Sequence, residues 1–389
     1  MKTFATRTTT ISDHFFAAVD VRINALRADG NPMPIIRLDI GSPDLPPAPH
    51  IIEALTRAAA RPDSHGYQPI KGTPALREAW AGLYQRLHNV TLDPTAQVLP
   101  LLGSKEGIFH LSQALLEPGD VALIPEPAYM SYVRGARFAG AEPFIVPSSR
   151  ETGFLPDLTA IPVDILSRAR LLWLNFPNNP TSAVASREFF ASAVEFARRH
   201  DILLVSDAAY TQVTYDGYYA ASLLEIPGAL DVAIEFNTLS KSHNMAGWRT
   251  AVAVGNAEVL KTLGTIEANV NSGGFKPILE ASIAALSGDQ SWLGPRNQVY
   301  QRRRDLVIGH LRELGLEVDL PQASLYAWFK LPGDWKAVEF TNHVLQNARV
   351  SLTPGTVFGT EGYARLAFCS PDSELVEALN RLGDLDIWK

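Results

Sequence analysis

Five short apolar runs in this chain each hand over to residues that can do chemistry. "VLPLL" (98–102) is followed by "GSKEG", which opens a helical stretch. Gly103 lets the backbone come close there, and free N–H groups at a helix N-terminus attract phosphate. "VALI" (121–124) leads to Tyr129, a ring face for a flat ligand. "RLLWLN" (170–175) leads to "FPNNPTS", where Asn179 offers an amide. "ILLVS" (202–206) ends at Asp207, an acid that is costly in a buried place unless paired, with Tyr210 three residues on. "VAIEF" (232–236) leads to "NTLSK". A lysine at that crossing, Lys241, is desolvated, which disfavours its ammonium form and frees an amine to attack carbonyls. Each feature alone also has a plain structural reading: an N-cap, a packed tyrosine, an Asn-Pro turn, a capping acid or ion pair, a surface lysine.

The combination narrows the choice. Phosphate cradle, ring face, amide, acid, tyrosine and lysine occur in chain order at successive run ends. Pyridoxal 5′-phosphate needs that set. Its phosphate needs backbone donors and a cation, its ring an aromatic face, its pyridine nitrogen a carboxylate, and its aldehyde a lysine.

The elements that must position these residues follow from the same runs. With "PFIVP" (143–147) and "TAVAV" (250–254) there are seven, mostly too short for helices and without strict alternation. Such runs read as strands buried on both faces. Helical stretches between them, notably 105–116 and 187–200, predict an α/β fold with a doubly wound, mostly parallel seven-stranded sheet. Ligands of such sheets sit at the carboxyl ends of the strands. A helix over 15–27 after an irregular arm, a loop at 41–50 and helices at 51–61 and 74–88 precede the sheet. After about residue 289 a long helix (295–314), "SLYAWFK", a helix near 338–347, "ARLAF" and a last helix read as a smaller α/β lobe. The expected division is a large domain over 46–288 and a small domain from 1–45 plus 289–389.

Composition sets outer bounds. The 389 residues are 46% hydrophobic and 19% charged, with a net charge of −7 and one cysteine. That is ordinary globular composition. The negative balance argues against nucleic acid as a partner, and one cysteine allows no internal disulfide. No signal peptide or membrane-spanning run is visible, so a cytoplasmic protein is expected, with no metal site and no membrane contact.

"TLSKSHNMAGWR", with arginine eight residues after lysine, resembles the lysine signature of the class I/II aminotransferases, which are fold-type I pyridoxal phosphate enzymes. "NFPNNPTS", "SDAAY", "HGYQPIKGTPALREA" and "GYARLAF" resemble further blocks of that family in the same order. The resemblance implies a three-layer fold and residue roles. Lys241 would form the internal aldimine and shuttle the proton between substrate Cα and cofactor. Asp207 would pair with the pyridine nitrogen, Tyr210 and Asn179 with the ring oxygen, and Tyr129 would stack on the ring. Ser104, Lys105, Thr238 and Arg249 would hold the phosphate. Arg365 would take the substrate α-carboxylate, helped by Gly41 and Asn179. Tyr67 would reach the phosphate of a neighbouring subunit, so a homodimer with shared sites is implied. An amino acid would leave its amino group on the cofactor as pyridoxamine phosphate, and a 2-oxo acid, 2-oxoglutarate being expected, would collect it. A C–S β-lyase on the same scaffold is the alternative reading.

"LLGSKEGIFHL", "DGYYAASLLEIPGA" and "QRRRDLVIGHL" are most similar to the LL-diaminopimelate aminotransferase branch, which places the chain near diaminopimelate and lysine, aspartate or alanine metabolism. Three positions depart from the family pattern. Ser182 stands where glycine is usual. In "HGYQPIKG", Ile70 and Lys71 stand where relatives that bind a distal ammonium tend to carry an acid. Lys276 stands where an uncharged polar residue is common. The two lysines predict a side-chain pocket that favours anionic or neutral substrates over distally cationic ones, unless both are merely solvated.

Overall fold

The computed structural model describes residues 4–9 and 15–388. Residues 10–14, part of the expected irregular arm, lie outside the described residues. A short strand, β1 (Ile36–Arg37), precedes the main sheet. That sheet is built from β2 (Val98–Leu101), β3 (Val121–Glu126), β4 (Glu142–Pro147), β5 (Ala169–Leu174), β6 (Leu203–Asp207), β7 (Ala233–Thr238) and β8 (Ala251–Gly255). Its spatial order is β2-β8-β7-β6-β5-β3-β4.

Strands β3 to β7 pair in parallel, while β8 runs antiparallel to both β7 and β2. The link from Thr238 to Ala251 carries only one-turn helices and no crossover helix, and β8 returns in the opposite direction. Lys241 and Arg249 therefore share the loop at the carboxyl end of β7. After β4 at one edge the chain turns back, and β5 lies on the other side of β3. Such a reversal opens a crevice at the strand ends.

Side chains alternate between the two faces of a strand. Leu171, Trp173, Val205, Ile234 and Phe236 join one buried cluster, while Leu172, Leu174, Leu204 and Ala233 join another. Both faces are thus apolar and both are covered by helices, giving three layers. The helices begin where the sequence allows. Thr73 and Ser186 accept from the N–H groups of Leu76 and Phe189 and so cap helices Pro74–His88 and Arg187–His200. Such caps are each worth about 1 kcal/mol.

A third cluster draws on residues of 36–38, 209–215 and 300–382. It contains the antiparallel strands β9 (Tyr326–Lys330), β11 (Thr353–Pro354) and β12 (Tyr363–Ala367), and the pair of β1 with β10 (Val350–Ser351). The cluster also includes Tyr210, Val213 and Tyr215 from the segment after β6, so it crosses the expected domain boundary. Helix Phe15–Arg27 packs Val19 and Ile23 on Leu345, and Arg349 Nη1 donates to Leu26 O at its end (2.8 Å). None of the described helices is long and apolar enough to cross a membrane.

Candidate active site

The carboxyl ends of β5, β6 and β7 open into a cavity of about 410 Å³. Thr238 ends β7 and caps the one-turn helix Leu239–Ser242, accepting from Ser240 N (3.1 Å). Its hydroxyl also donates to Thr250 O (2.9 Å), which closes the loop. This turn aims Lys241 across the cavity, where Nζ donates to Gly41 O (2.5 Å). Burial drives the Lys241 pKa down to about 8, and the nearby Arg365 and Arg249 push the same way against Cys369 and Asp207. The neutral amine, which a nucleophile or proton acceptor requires, is therefore reached more readily than on an exposed lysine.

Asp207 ends β6 and is buried. Its Oδ2 accepts from the Tyr132 hydroxyl (2.7 Å), while Oδ1 is buried without a hydrogen-bond partner. Desolvation raises its pKa to about 6, against the lowering by Tyr132 and the Ala209 N–H. A buried acceptor left unmatched costs about 1–3 kcal/mol. A ligand with an N–H on that side removes this cost. Tyr132 is itself held by stacking on Trp173, with ring centroids 4.6 Å apart.

Asn175, one residue past β5, donates through Nδ2 to Asp207 O (2.7 Å) and accepts the Asn179 N–H (2.8 Å). Asn179 Oδ1 in turn accepts from Arg365 Nη1 (2.7 Å). The Tyr210 hydroxyl meets that of Tyr326 at 2.7 Å, and burial drives the Tyr210 pKa well up, so the phenol stays neutral.

At the other end of the cavity, Gly103 has φ of 114°, and a Cβ there would lie 2.2 Å from Arg249 Nη2. Only glycine permits this approach. Ser104 then opens helix Ser104–Leu115, and Gly103 supplies no side-chain cap for it. Burial lowers the Lys105 pKa, with Arg134 and Arg249 adding repulsion. Ser104, Lys105, Thr238, Ser240 and Arg249 all line the cavity. Crowded cations beside a helix N-terminus form a place for a dianion.

Arg365 lies on β12, buried to 3% exposure. Its partners are neutral oxygens: Asn179 Oδ1, Asp39 O (2.6 Å) and Thr353 Oγ1 (3.2 Å). Its guanidinium stacks over Tyr326 at 4.3 Å. The positive charge is left for an anionic group. Gly41 sits so close to Tyr326 that a Cβ would fall 2.0 Å from its hydroxyl.

The structure brings together Gly41, Ser104, Lys105, Tyr129, Asn179, Asp207, Tyr210, Thr238, Lys241, Arg249 and Arg365, with Gly103 alongside. It does not bring in Tyr67, which is 92% exposed, or Lys71, which lies exposed on the turn before helix Pro74–His88. Lys276 is also outside and pairs with Asp63 (2.6 Å). The pocket bias expected from Lys71 and Lys276 therefore finds no support within one chain: an adjacent carboxylate offsets one lysine, and the other lies on an exposed turn. Ser182 adopts φ of 59° and donates through Oγ to Tyr326 O (2.9 Å), so the departure from glycine adds a tie between the loop and β9. Sequence reasoning missed Tyr132, Asn175, Ser240 and Tyr326. Asn175 was within reach, because it ends an apolar run as Asp207 does.

The donor set fits pyridoxal 5′-phosphate: an orphan carboxylate oxygen for a pyridinium N–H, a cationic helix N-terminus for a phosphate, and a lysine between. A fold and site of this kind define a pyridoxal phosphate-dependent α/β enzyme. The family profile of aminotransferase class I and II matches residues 33–382, and the chain belongs to that family. It is 44% identical over 373 residues to an LL-diaminopimelate aminotransferase of Dehalococcoides mccartyi, covering 95% of this chain and 96% of that one. A Moorella thermoacetica protein of the same name is 43% identical, with 97% of each chain covered. The substrate-bound BacF structure from Bacillus subtilis superposes with a TM-score of 0.95 at 35% identity, over 100% of this chain and 98% of that one. The activity is transamination, dependent on pyridoxal 5′-phosphate, between amino acids and 2-oxo acids. Nothing in these likenesses favours the C–S β-lyase alternative.

Proposed function

We propose that the cavity binds the cofactor and amino donor through the residues described above, in the following roles. Asp207 Oδ1 would hold the pyridine N–H and keep that nitrogen protonated. Asn179 and Tyr210 would hold the ring oxygen and Tyr129 would cover the ring. Gly103, Ser104, Lys105, Thr238 and Arg249 would hold the phosphate. The bound cofactor supplies an electron sink for the pair released when the donor's Cα–H bond breaks.

The chain's own groups do the rest. Arg365 takes the α-carboxylate as a planar fork, with Asn179 and the Gly41 backbone fixing its angle. That anchor sets the Cα hydrogen against Lys241. The Lys241 amine, whose proton burial makes easier to shed, takes the proton from Cα and later returns it. The buried Tyr326 ring under Arg365 keeps water from the carboxylate site. The single observation carrying this reading is the Asp207 Oδ1 atom, buried and unpartnered.

The test is 2-oxoglutarate-dependent turnover by the cofactor-loaded protein and its Lys241→Ala variant. Turnover is expected to depend on the acceptor and to vanish in the variant. Ammonia and pyruvate release without acceptor, or retained turnover in the variant, would contradict the assignment.

The working unit is proposed to be a cytoplasmic homodimer, with the large and small domains divided near residues 45 and 289. Tyr67 and Lys71, both outside their own cavity, are then offered to the second copy. A monomeric holoenzyme on sedimentation would overturn this. The relatives' shared name points to diaminopimelate as the donor to try first.

A further inference from the structure

We propose that Asp20, on helix Phe15–Arg27, binds a second, distal ammonium on the amino donor, with Phe16 and Ile40 covering the methylenes between the two ends. The inference rests on the aminotransferase reading and adds the part of the donor that Arg365 and Lys241 do not touch.

Most of the cavity wall is already occupied in that reading. Apart from the small side chains of Ala209 and Ala246, the phosphate end, the ring edge and the carboxylate fork leave one stretch of lining unassigned: Phe16, Asp20, Arg37, Ile40 and Ser42. Phe16 and Asp20 stand four residues apart on one helix, so they share a face. Ile40 is 44% exposed, a large apolar side chain beside the reacting centre with room for cover. The wall therefore presents an apolar section followed by a charged one. A donor with an apolar chain and a charged tip matches it.

Asp39 links this wall to the α-carboxylate site. Its carbonyl accepts from Arg365 Nη2 at 2.6 Å, and its carboxylate accepts from Arg37 Nε and Nη2, both at 2.7 Å. A substrate fixed on Arg365 thus has the Arg37 group beside it across one residue. Arg37 Nη1 also pairs with Asp20 Oδ1 at 2.8 Å. Asp39 is fully buried, whereas the Asp20 side chain is 56% exposed.

The charge count then sets the sign. Two carboxylates meet one guanidinium, and the buried one takes the guanidinium's bidentate edge. One negative charge is left over, and it lies on the open member, Asp20. The cluster is matched to a cation. The other cations lining the cavity, Lys105, Lys241, Arg249 and Arg365, lie at the cofactor and carboxylate end. Lys276 is held by Asp63.

The experiment compares kcat/KM for LL-2,6-diaminopimelate and L-2-aminopimelate with 2-oxoglutarate as acceptor. The two donors differ only by the distal amino group. Cofactor-loaded wild type and Asp20→Asn are measured side by side. Asparagine keeps the volume and can still accept from Arg37, so the helix stays anchored while the charge goes. Wild type is expected to favour the diamino donor by about tenfold or more, the scale of one hydrogen bond to a charged group. Asp20→Asn is expected to cut that ratio about tenfold. An unchanged ratio, including a parallel fall on both donors, makes Asp20 only an anchor for its helix and overturns the proposal. Wild-type turnover without preference for the diamino donor, or turnover of other amino acids but neither of these, overturns it too. The aminotransferase reading fails differently, by absence of acceptor-dependent turnover with every donor.

Discussion

The two ends of the cavity are built differently. The cofactor end uses consecutive strand ends of one sheet: Asn175 after β5, Asp207 on β6, and Thr238 and Lys241 at β7. Asp207 and Thr238 are paired in the sheet ladder, and Asn175 and Lys241 follow directly on strands buried on both faces. The substrate end is assembled from Asp20, Arg37, Gly41, Tyr326 and Arg365, supplied by four chain segments far apart in sequence. Rigid neighbours in one sheet can hold a cofactor in one geometry. Separate segments can be altered one at a time, which suits a surface that selects among substrates. The comparison predicts that changes at the first end abolish turnover for every donor, that changes at Arg365 weaken every donor, and that changes at Asp20 alter which donor is used.

The largest effect is expected from Lys241→Ala, a loss on the order of 10^4-fold for all donors, read in steady-state rates. Asp207→Asn is expected to follow at about 10^3-fold, again irrespective of donor. Donor-dependent losses in either variant would break the comparison. Arg365→Lys keeps the charge and loses the fork, so kcat/KM is expected to fall about 10- to 100-fold, chiefly through KM. Lys276→Ala is expected to leave the ratio of anionic to cationic donors unchanged, because Asp63 already offsets that lysine. A shifted ratio would return Lys276 to the substrate wall.

Stability against pH sharpens the same contrast. The folded-state pKa of Asp207 is raised from 3.8 to about 6, mainly by desolvation. The folded chain without cofactor therefore holds a proton that the unfolded chain releases between about pH 4 and 6. Its stabilising contribution is complete below that window and is lost as pH rises through it, by about 3 kcal/mol for a shift of this size. A cationic partner at Oδ1 favours the carboxylate, so bound cofactor should remove the decline. Melting temperatures of the free and loaded protein between pH 4 and 7 check this. Parallel curves would mean that Asp207 does not meet the cofactor.

Legibility in the sequence follows the same division. The strand runs stood out because strands buried on both faces are apolar throughout, and their chemistry-bearing residues lie within a few positions of each run's end. The antiparallel return of β8 was not anticipated, because its wholly buried apolar run reads like those of the parallel strands. Tyr132 went unnoticed because it sits inside a helix, one turn past Tyr129, and its hydroxyl reaches Asp207 from 75 residues away in the sequence. Tyr326 lies in a run that gives no local sign of its hydroxyl partner Tyr210, 116 residues away. Lys276 shows the reverse case: its charge is visible in the sequence, while the Asp63 carboxylate that offsets it is not.

The central claim is that the orphan oxygen of Asp207 exists to hold a protonated pyridine nitrogen. The direct measurement is the nitrogen-15 chemical shift of bound pyridoxal 5′-phosphate labelled at the ring, followed from pH 6 to 9 in wild type and in Asp207→Asn. A pyridinium shift throughout in wild type and a neutral pyridine shift in the variant is the predicted result. The same shift in both proteins would contradict the account.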